Sequence, residues 1–346
     1  MRSLARYALA NTVVRAKISE ILTQRDIDGM ARAPSLEEAW GVLASTPYGG
    51  LIPPWTGQEV YEIDRLLHNA TGRRFLRVVR TLKGKPREVA MLLLSRWDLD
   101  ALEFLLRLWH GKESVMGDDA SYATFVHFLP RKALLSAEDL GVVAGILHDT
   151  PFAQTLISSS RTYAARHSLF HVETALEKAY YQRLLNAIDA LGGQEARDGQ
   201  TVISAEIDLL NLLCLARLVN YYEILPQDAS EFIIPAPSPL SKQLRQPGVN
   251  TESFSTLFNQ FGAANLETSG KQLSPLESIS LLEGALSEIM VALARRALAG
   301  FPFSIAGVLA FYILIRVELR NLRSIFINKT GALSERDAPL KPHRPR

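Results

Sequence analysis

Three copies of one short phrase limit the folds open to this 346-residue chain more than any single residue does. An apolar helical stretch runs into Leu22-Thr23-Gln24-Arg25-Asp26-Ile27, and another into Leu135-Ser136-Ala137-Glu138-Asp139-Leu140. A third leads, through Gly331, into Leu333-Ser334-Glu335-Arg336-Asp337. A second phrase, Gly41-Val42-Leu43-Ala44-Ser45-Thr46-Pro47-Tyr48, is echoed by Gly145-Ile146-Leu147-His148-Asp149-Thr150-Pro151-Phe152. A third pairs Asp98-Leu99-Asp100-Ala101-Leu102-Glu103 with Glu206-Ile207-Asp208-Leu209-Leu210-Asn211, 108 positions later. A chain that repeats itself is built of units that bury their faces against one another, and a period of roughly 100 residues is far longer than a solenoid repeat. The pattern predicts three similar helical subdomains in a pseudo-threefold ring, funnel or socket.

The periodicity supports an all-α fold. Apolar residues recur at helical spacing over Leu4–Leu22, Val60–Leu82, Glu88–Trp109, Tyr163–Leu191, Ser204–Leu225, Leu276–Leu298 and Phe303–Ile327, and no stretch alternates with a period of two. Ser35-Leu36-Glu37-Glu38 reads as a capping box, and Thr23–Asp26 and Ser136–Asp139 have the same form with Asp in the fourth place. The repeated phrase therefore ends one helix and starts the next. Breaks fall at the Gly/Pro-rich 49–57, at Lys83–Pro86, at Gly192–Thr201 and across Pro226–Asn250, which holds five prolines. They place the repeats at 1–86, 87–195 and 196–300, followed by a closing helix and a polar tail over 301–346, whose basic end, Lys341–Arg346, reads as disordered.

Composition and missing motifs narrow the function. Hydrophobic residues make up 47% of the chain, enough for a large core, and 38 basic residues nearly balance 36 acidic ones, which disfavours a dedicated nucleic-acid binder. The single cysteine, Cys214, sits among leucines and reads as a buried thiol in a reducing compartment. The first twenty residues carry Arg2, Arg6, Arg15, Lys17 and Glu20 with no unbroken apolar core, so no signal peptide is expected and the chain reads as cytoplasmic. Ser269-Gly270-Lys271-Gln272 lacks the glycine and hydroxyl of a phosphate loop. His167 and His171 stand four apart on an expected helix without the glutamate of a zinc protease, and Asp118-Asp119 lacks the further acids that would hold magnesium. No catalytic residue, cofactor or metal is predicted.

Two features bear on partners. Ala297–Ile315 runs nineteen residues without a charge, but Gly300, Pro302 and Ser304 split it. The helix, started near Pro302, then keeps too few uncharged residues to span a bilayer. Arg73, Arg77 and Arg80 share one helix face with Arg74 beside them, and Arg316, Arg320 and Arg323 share another. Such stripes are either solvated faces or docking surfaces for an acidic helix or anionic lipid.

Taken in order, these phrases resemble the C subunit of bacterial and archaeal V/A-type rotary ATPases, whose equivalent in the eukaryotic V-type enzyme is the d subunit. Tyr7–Ala16 looks like that family's opening helix, followed by Leu22-Thr23-x-x-Asp26, Ser35-Leu36-Glu37-Glu38 and Thr46-Pro47-Tyr48. Asp98-Leu99-Asp100-Ala101-Leu102 is similar to its internal aspartate helix, with Ala101 in place of the usual asparagine. Glu318-Leu319-Arg320-Asn321-Leu322-Arg323 is close to its C-terminal helix motif. The resemblance implies a non-catalytic funnel, peripheral on the cytoplasmic face of the membrane. It would seat the central axle subunits on the membrane proteolipid ring and pass torque without binding nucleotide or spanning the bilayer. It also implies partner contacts from the first and last helices, with Arg15, Arg316, Glu318, Arg320, Asn321 and Arg323 as candidates. A generic helical-repeat adaptor and a helical lipid-processing enzyme are the competing readings.

Overall fold

Helices supply nearly all the regular structure, because the apolar residues follow a helical period and caps recur between stretches. The structure is a computed structural model and describes residues 2–112, 122–222, 229–245 and 275–330. We number the helices α1 (Arg2–Ile18), α2 (Gln24–Arg32), α3 (Leu36–Ala44), α4 (Val60–Val79), α5 (Gly84–Gly111), α6 (Arg131–Leu135) and α7 (Leu140–Ile146). They continue with α8 (Ala153–Arg166), α9 (Leu169–Asp189), α10 (Gly193–Tyr222), α11 (Pro239–Leu244), α12 (Pro275–Ala299) and α13 (Ala306–Lys329). No strand occurs among the described residues, so the protein is all-α there. The third Leu-Ser-x-x-Asp phrase, Asp118-Asp119, Ser269–Gln272 and the basic tail lie outside them.

The recurring phrases make recurring hydrogen bonds. Thr46 Oγ1 donates to the Leu43 carbonyl at 2.6 Å and accepts from Tyr48 N at 3.2 Å. Thr150 Oγ1 does the same with the Leu147 carbonyl at 2.8 Å and Phe152 N at 3.3 Å. Each turn buries its aromatic ring, and an arginine from a later helix lies over it: Arg74 over Tyr48 at 5.0 Å, Arg183 over Phe152 at 5.9 Å. The caps differ more. Thr23 and Asp26 form the full reciprocal box at the start of α2, and Ser35 Oγ accepts from Glu38 N to start α3. Ser136 does not cap α7 as expected. It takes helical dihedrals at the end of α6, and the extended Asp139 caps α7 by accepting from Val142 N at 2.9 Å.

Three boundaries also depart from expectation. Gly192–Thr201 is not a polar link, because Gly193 already opens α10 and only the left-handed Gly192 and Gly193 mark the turn. The break before α5 ends at Lys83, so Pro86 sits in the first helical turn, where its missing N–H leaves no intrahelical bond unmade. The stretch expected as one helix over Tyr163–Leu191 is two: His167 turns left-handed (φ 48°) to cap α8, and α9 begins at Leu169. His167 and His171 thus do not share a helix face. Among the described residues no cluster of His, Cys, Asp or Glu is placed to hold a metal.

Helix α13 ties the molecule together. Its first half packs into the larger core through Val308, Phe311, Tyr312, Ile315 and Val317. Its second half closes a smaller one through Leu319, Leu322 and Phe326, against Trp40, Met30 and Leu67. Aromatic rings join α4, α5 and α13, with Phe75 stacked on Trp97 at 5.6 Å and edge-on to Tyr312 at 5.7 Å. The long uncharged stretch is interrupted between α12 and α13, which starts at Ala306, a few residues after Pro302. The one described helix with a segment long and apolar enough to cross a membrane is α10, over Gly193–Ala216, and 67% of its apolar window is buried inside the protein.

A glycine fixes one close approach. A Cβ on Gly72 in α4 would run into the Phe125 ring, whose backbone is itself pinned to α5. Gly72→Ala is expected to lose about 1–3 kcal/mol of stability, as overpacking does, read by urea denaturation.

Candidate functional site

The charged residues that the sequence marks on α13 turn inward. Arg316 donates to Asp100 of α5 at 2.6 Å and lies over the Trp97 ring at 5.2 Å. Glu318, 4% exposed, receives three donors: Leu22 N and Tyr48 OH, each at 2.6 Å, and Arg74 Nη1 at 2.5 Å. Arg74 reaches on with Nη2 to the Glu20 carbonyl at 2.9 Å. Arg323 pairs with Asp64 of α4. Arg320 and Asn321 are half-buried, and Arg320 donates to Ser287 Oγ of α12 at 3.0 Å. Arg15 stands apart, exposed on α1, with Nε donating to Asn11 at 3.4 Å. The structure thus joins five of the six candidates on one helix and leaves Arg15 outside.

The pairs extend across the molecule. Arg96 of α5 binds Asp100 at 3.2 Å and Glu177 of α9 at 2.6 Å, and Arg107 binds Glu173 at 2.7 Å. Burial alone would raise the Asp100 carboxyl, but Arg316 and Arg96 beside it win and hold it well below the usual carboxylate range. Burial opposes the Arg316 charge, yet Asp100 keeps the guanidinium firmly protonated. His68, wholly buried, is pushed down to about 4 by burial and by Arg323, so it stays neutral. Its Nε2 lies 3.0 Å from the Trp97 carbonyl.

Three long helices also fasten neighbouring non-helical segments in the same way. Glu318 accepts from Leu22 N. Asp98 of α5 accepts from Phe125, Val126 and His127 N at 2.6, 2.9 and 2.7 Å. Asn211 of α10 accepts from Ile234 N at 2.8 Å and donates to the Ile234 carbonyl at 2.9 Å. Each residue heads an x-Leu-x-x-Leu stretch: Glu318-Leu319 to Leu322, Asp98-Leu99 to Leu102, Asn211-Leu212 to Leu215. The hydrogen bonds therefore match Asp98 with Asn211 and not, as the sequence pairing suggests, with Glu206. Glu206 instead faces Tyr181 and Tyr312 at 3.3 and 3.4 Å.

Burial pushes the Asp98 carboxyl up to about 6, against three backbone donors that pull it down. A folded value above the unfolded one means the stabilising contribution is present below pH ~4 and lost as pH rises through ~6. Denaturation of wild type against Asp98→Asn is expected to show the wild-type advantage shrinking by about 3 kcal/mol between pH 4 and pH 7.

Between α5, α9, α10, α12 and α13 lies a cavity of about 70 Å³, walled by four acids, Asp100, Glu103, Glu177 and Glu206, and four arginines, Arg96, Arg316, Arg320 and Arg323, among apolar side chains. Sequence reading missed Asp64, Arg96, Asp100 and Glu177 as partners. Arg74 did carry a signal, since it falls in helical register with Leu67, Ala70 and Val78, the apolar side of α4. Arg73, Arg77 and Arg80 are exposed, as a solvated stripe should be.

A family model described as ATP synthase (C/AC39) subunit matches residues 10–336. The C subunit of the A-type ATP synthase of Methanosphaera stadtmanae is 22% identical over 335 residues, covering 94% of this chain and 84% of the relative. Its counterpart in Thermococcus kodakarensis is 24% identical over 329 residues, covering 92% and 85%. With nearly its whole length matched, the chain belongs to the ATP synthase (C/AC39) subunit family, as a structural and not a catalytic subunit.

Proposed function

We propose that this chain is the central-stalk socket of a membrane-associated A/V-type ATPase. It seats the axle subunits on the membrane proteolipid ring and transmits torque between the soluble motor and the ring. It does so as a peripheral subunit on the cytoplasmic face, without crossing the bilayer. The observation that carries this reading is the buried ion-pair network from α4 through α13 and α5 to α9. A torque-bearing body has to resist shear between its parts, and charge pairs fixed on several helices lose much energy when one helix slides.

The shared x-Leu-x-x-Leu clamps and the twin threonine turns support reading the chain as three similar units in a pseudo-threefold funnel. In this reading the units run over 1–86, 87–195 and 196–300, with a closing segment from residue 301; the first two divisions fall near the starts of α5 and α10. Within this proposal Arg316, Glu318 and Arg323 stiffen the body, while Arg15, Arg320 and Asn321 contribute to docking.

Affinity purification of the tagged chain from gently solubilised source membranes tests the reading. Mass spectrometry is expected to find a ring proteolipid together with axle and catalytic ATPase subunits. A chain that remains soluble and recovers none of them contradicts the proposal and favours an unrelated helical adaptor.

A further inference from the structure

The seam between α5 and α9 carries one carboxylate more than its arginines can serve. Asp100, Glu103, Glu173 and Glu177 meet there with Arg96, Arg107 and Arg316. The short contacts use all three arginines: Arg316 takes Asp100 at 2.6 Å, Arg96 takes Glu177 at 2.6 Å and Arg107 takes Glu173 at 2.7 Å. Glu103 is left with Arg107 at 3.7 Å, beyond hydrogen-bond reach. The cavity's other two arginines are engaged elsewhere. Arg323 pairs with Asp64, and Arg320 donates to Ser287 and bears on Glu206.

Two oxygens at this seam lack a donor. Glu103 Oε1 and Glu177 Oε2 are buried and accept no hydrogen bond, on side chains only 4% and 3% exposed. Both residues wall the same cavity, and Glu177 is the charge that acts on Glu103 most strongly. Ionised carboxylates only accept, so neither can satisfy the other, whereas a protonated carboxyl donates. A buried charge without a close partner neutralises instead of staying ionised, and of two carboxyls in one site one takes up a proton readily. Burial first and Glu177 second push the Glu103 carboxyl well above the usual range, with Glu173 adding to them, against Arg96 and Arg107. Across the cavity stand Glu206 of α10 and Arg316, Arg320 and Arg323 of α13, while α12 lines it with Leu286 and Met290.

We infer that Glu103 binds a proton at neutral pH and donates it to Glu177 Oε2, a proton-binding site that fastens α5 to α9. One proton on Glu103 Oε1 removes the excess charge and gives both oxygens their missing partner. It comes from solvent as the chain folds and returns there on unfolding. The stability it contributes is complete below pH ~4.5, the ordinary glutamate value, and is lost as pH rises through the higher folded value. The site stands whether or not the chain is the axle socket.

The test compares the full-length chain with Glu103→Gln, whose amide copies the protonated carboxyl and does not titrate. Infrared spectroscopy at pH 7 is expected to show the carbonyl stretch of a protonated carboxyl in wild type, and to lose intensity there in the variant. Urea denaturation follows between pH 7 and pH 9, above the value of about 6 at which Asp98 titrates. The wild-type folding constant is expected to fall faster than the variant's, by up to about tenfold per pH unit for the one proton. A wild-type spectrum with no protonated-carboxyl band at pH 7 overturns the inference whether or not the variant folds, and would mean that water entering the cavity supplies the donor. Equal pH slopes, or a band unchanged by the substitution, overturn it as well.

Discussion

Glu318→Ala is expected to lower stability more than any other single substitution on α13. The change removes one carboxylate and leaves three donors without an acceptor: the Arg74 guanidinium, the Tyr48 hydroxyl and the Leu22 amide. Breaking a buried ion pair by removing one partner costs about 3–5 kcal/mol, because the other charge stays buried and unpaired. At ~2–4 °C per kcal/mol for a larger domain, the melting temperature falls by roughly 6–20 °C. Arg74→Met combined with Glu318→Leu should lose less than the sum of the two single changes, since neither charge is then stranded. Urea or thermal denaturation of wild type, Glu318→Ala, Arg74→Met, Glu318→Leu and the double variant measures both effects. A single-variant loss under about 1 kcal/mol would show that the carboxylate is not the anchor described here.

Asp98→Ala is expected to have the next largest effect. Its two carboxylate oxygens hold the amides of Phe125, Val126 and His127, and with them the segment that leads from α5 into α6. The three amides are part-buried, so each sits at the low end of the cost of an unsatisfied donor, about 1 kcal/mol, and a loss of about 3 kcal/mol follows. Hydrogen exchange adds a local readout. The three amides are expected to lose protection even where α5 keeps its own, whereas protection unchanged at all three would contradict the clamp.

These two clamps also show what the sequence could and could not reveal. The helices, the all-α class and the paired threonine turns were legible, because periodicity and capping are local and each phrase carries its own hydrogen bonds. Thr46 and Thr150 bond within three residues of themselves, so the motif alone implies the turn. The ion pairs were not legible. Arg323 meets Asp64 and Glu318 meets Arg74 across more than 240 positions, and nothing local to either partner selects the other. A charged stripe at i, i+4 and i+7 looks the same whether it faces water or a buried carboxylate. Only the register of Arg74 with the apolar side of α4 betrayed a buried charge.

The mismatched repeat register has a related cause. Asp98 and Glu206 head phrases that look alike, yet the segment each long helix must hold meets α10 five residues further on, at Asn211. Likewise the polar run after Gly192 reads as a link, but α10 carries it as helix, with Tyr7 of α1 donating to Glu195 in its first turn at 2.5 Å. Tertiary contacts there override what local composition favours.

The central proposal is that this chain turns with the rotor, and a cross-link tests that most directly. The lone native thiol, Cys214, is buried, so a cysteine placed at an exposed position can be joined selectively to a cysteine on a loop of the ring proteolipid. If the chain rides on the ring, the two move together. Locking them should then leave ATP hydrolysis and ATP-driven ion pumping near their uncross-linked levels, while locking the chain to the stator should stop both. Loss of turnover on cross-linking to the ring would contradict the account.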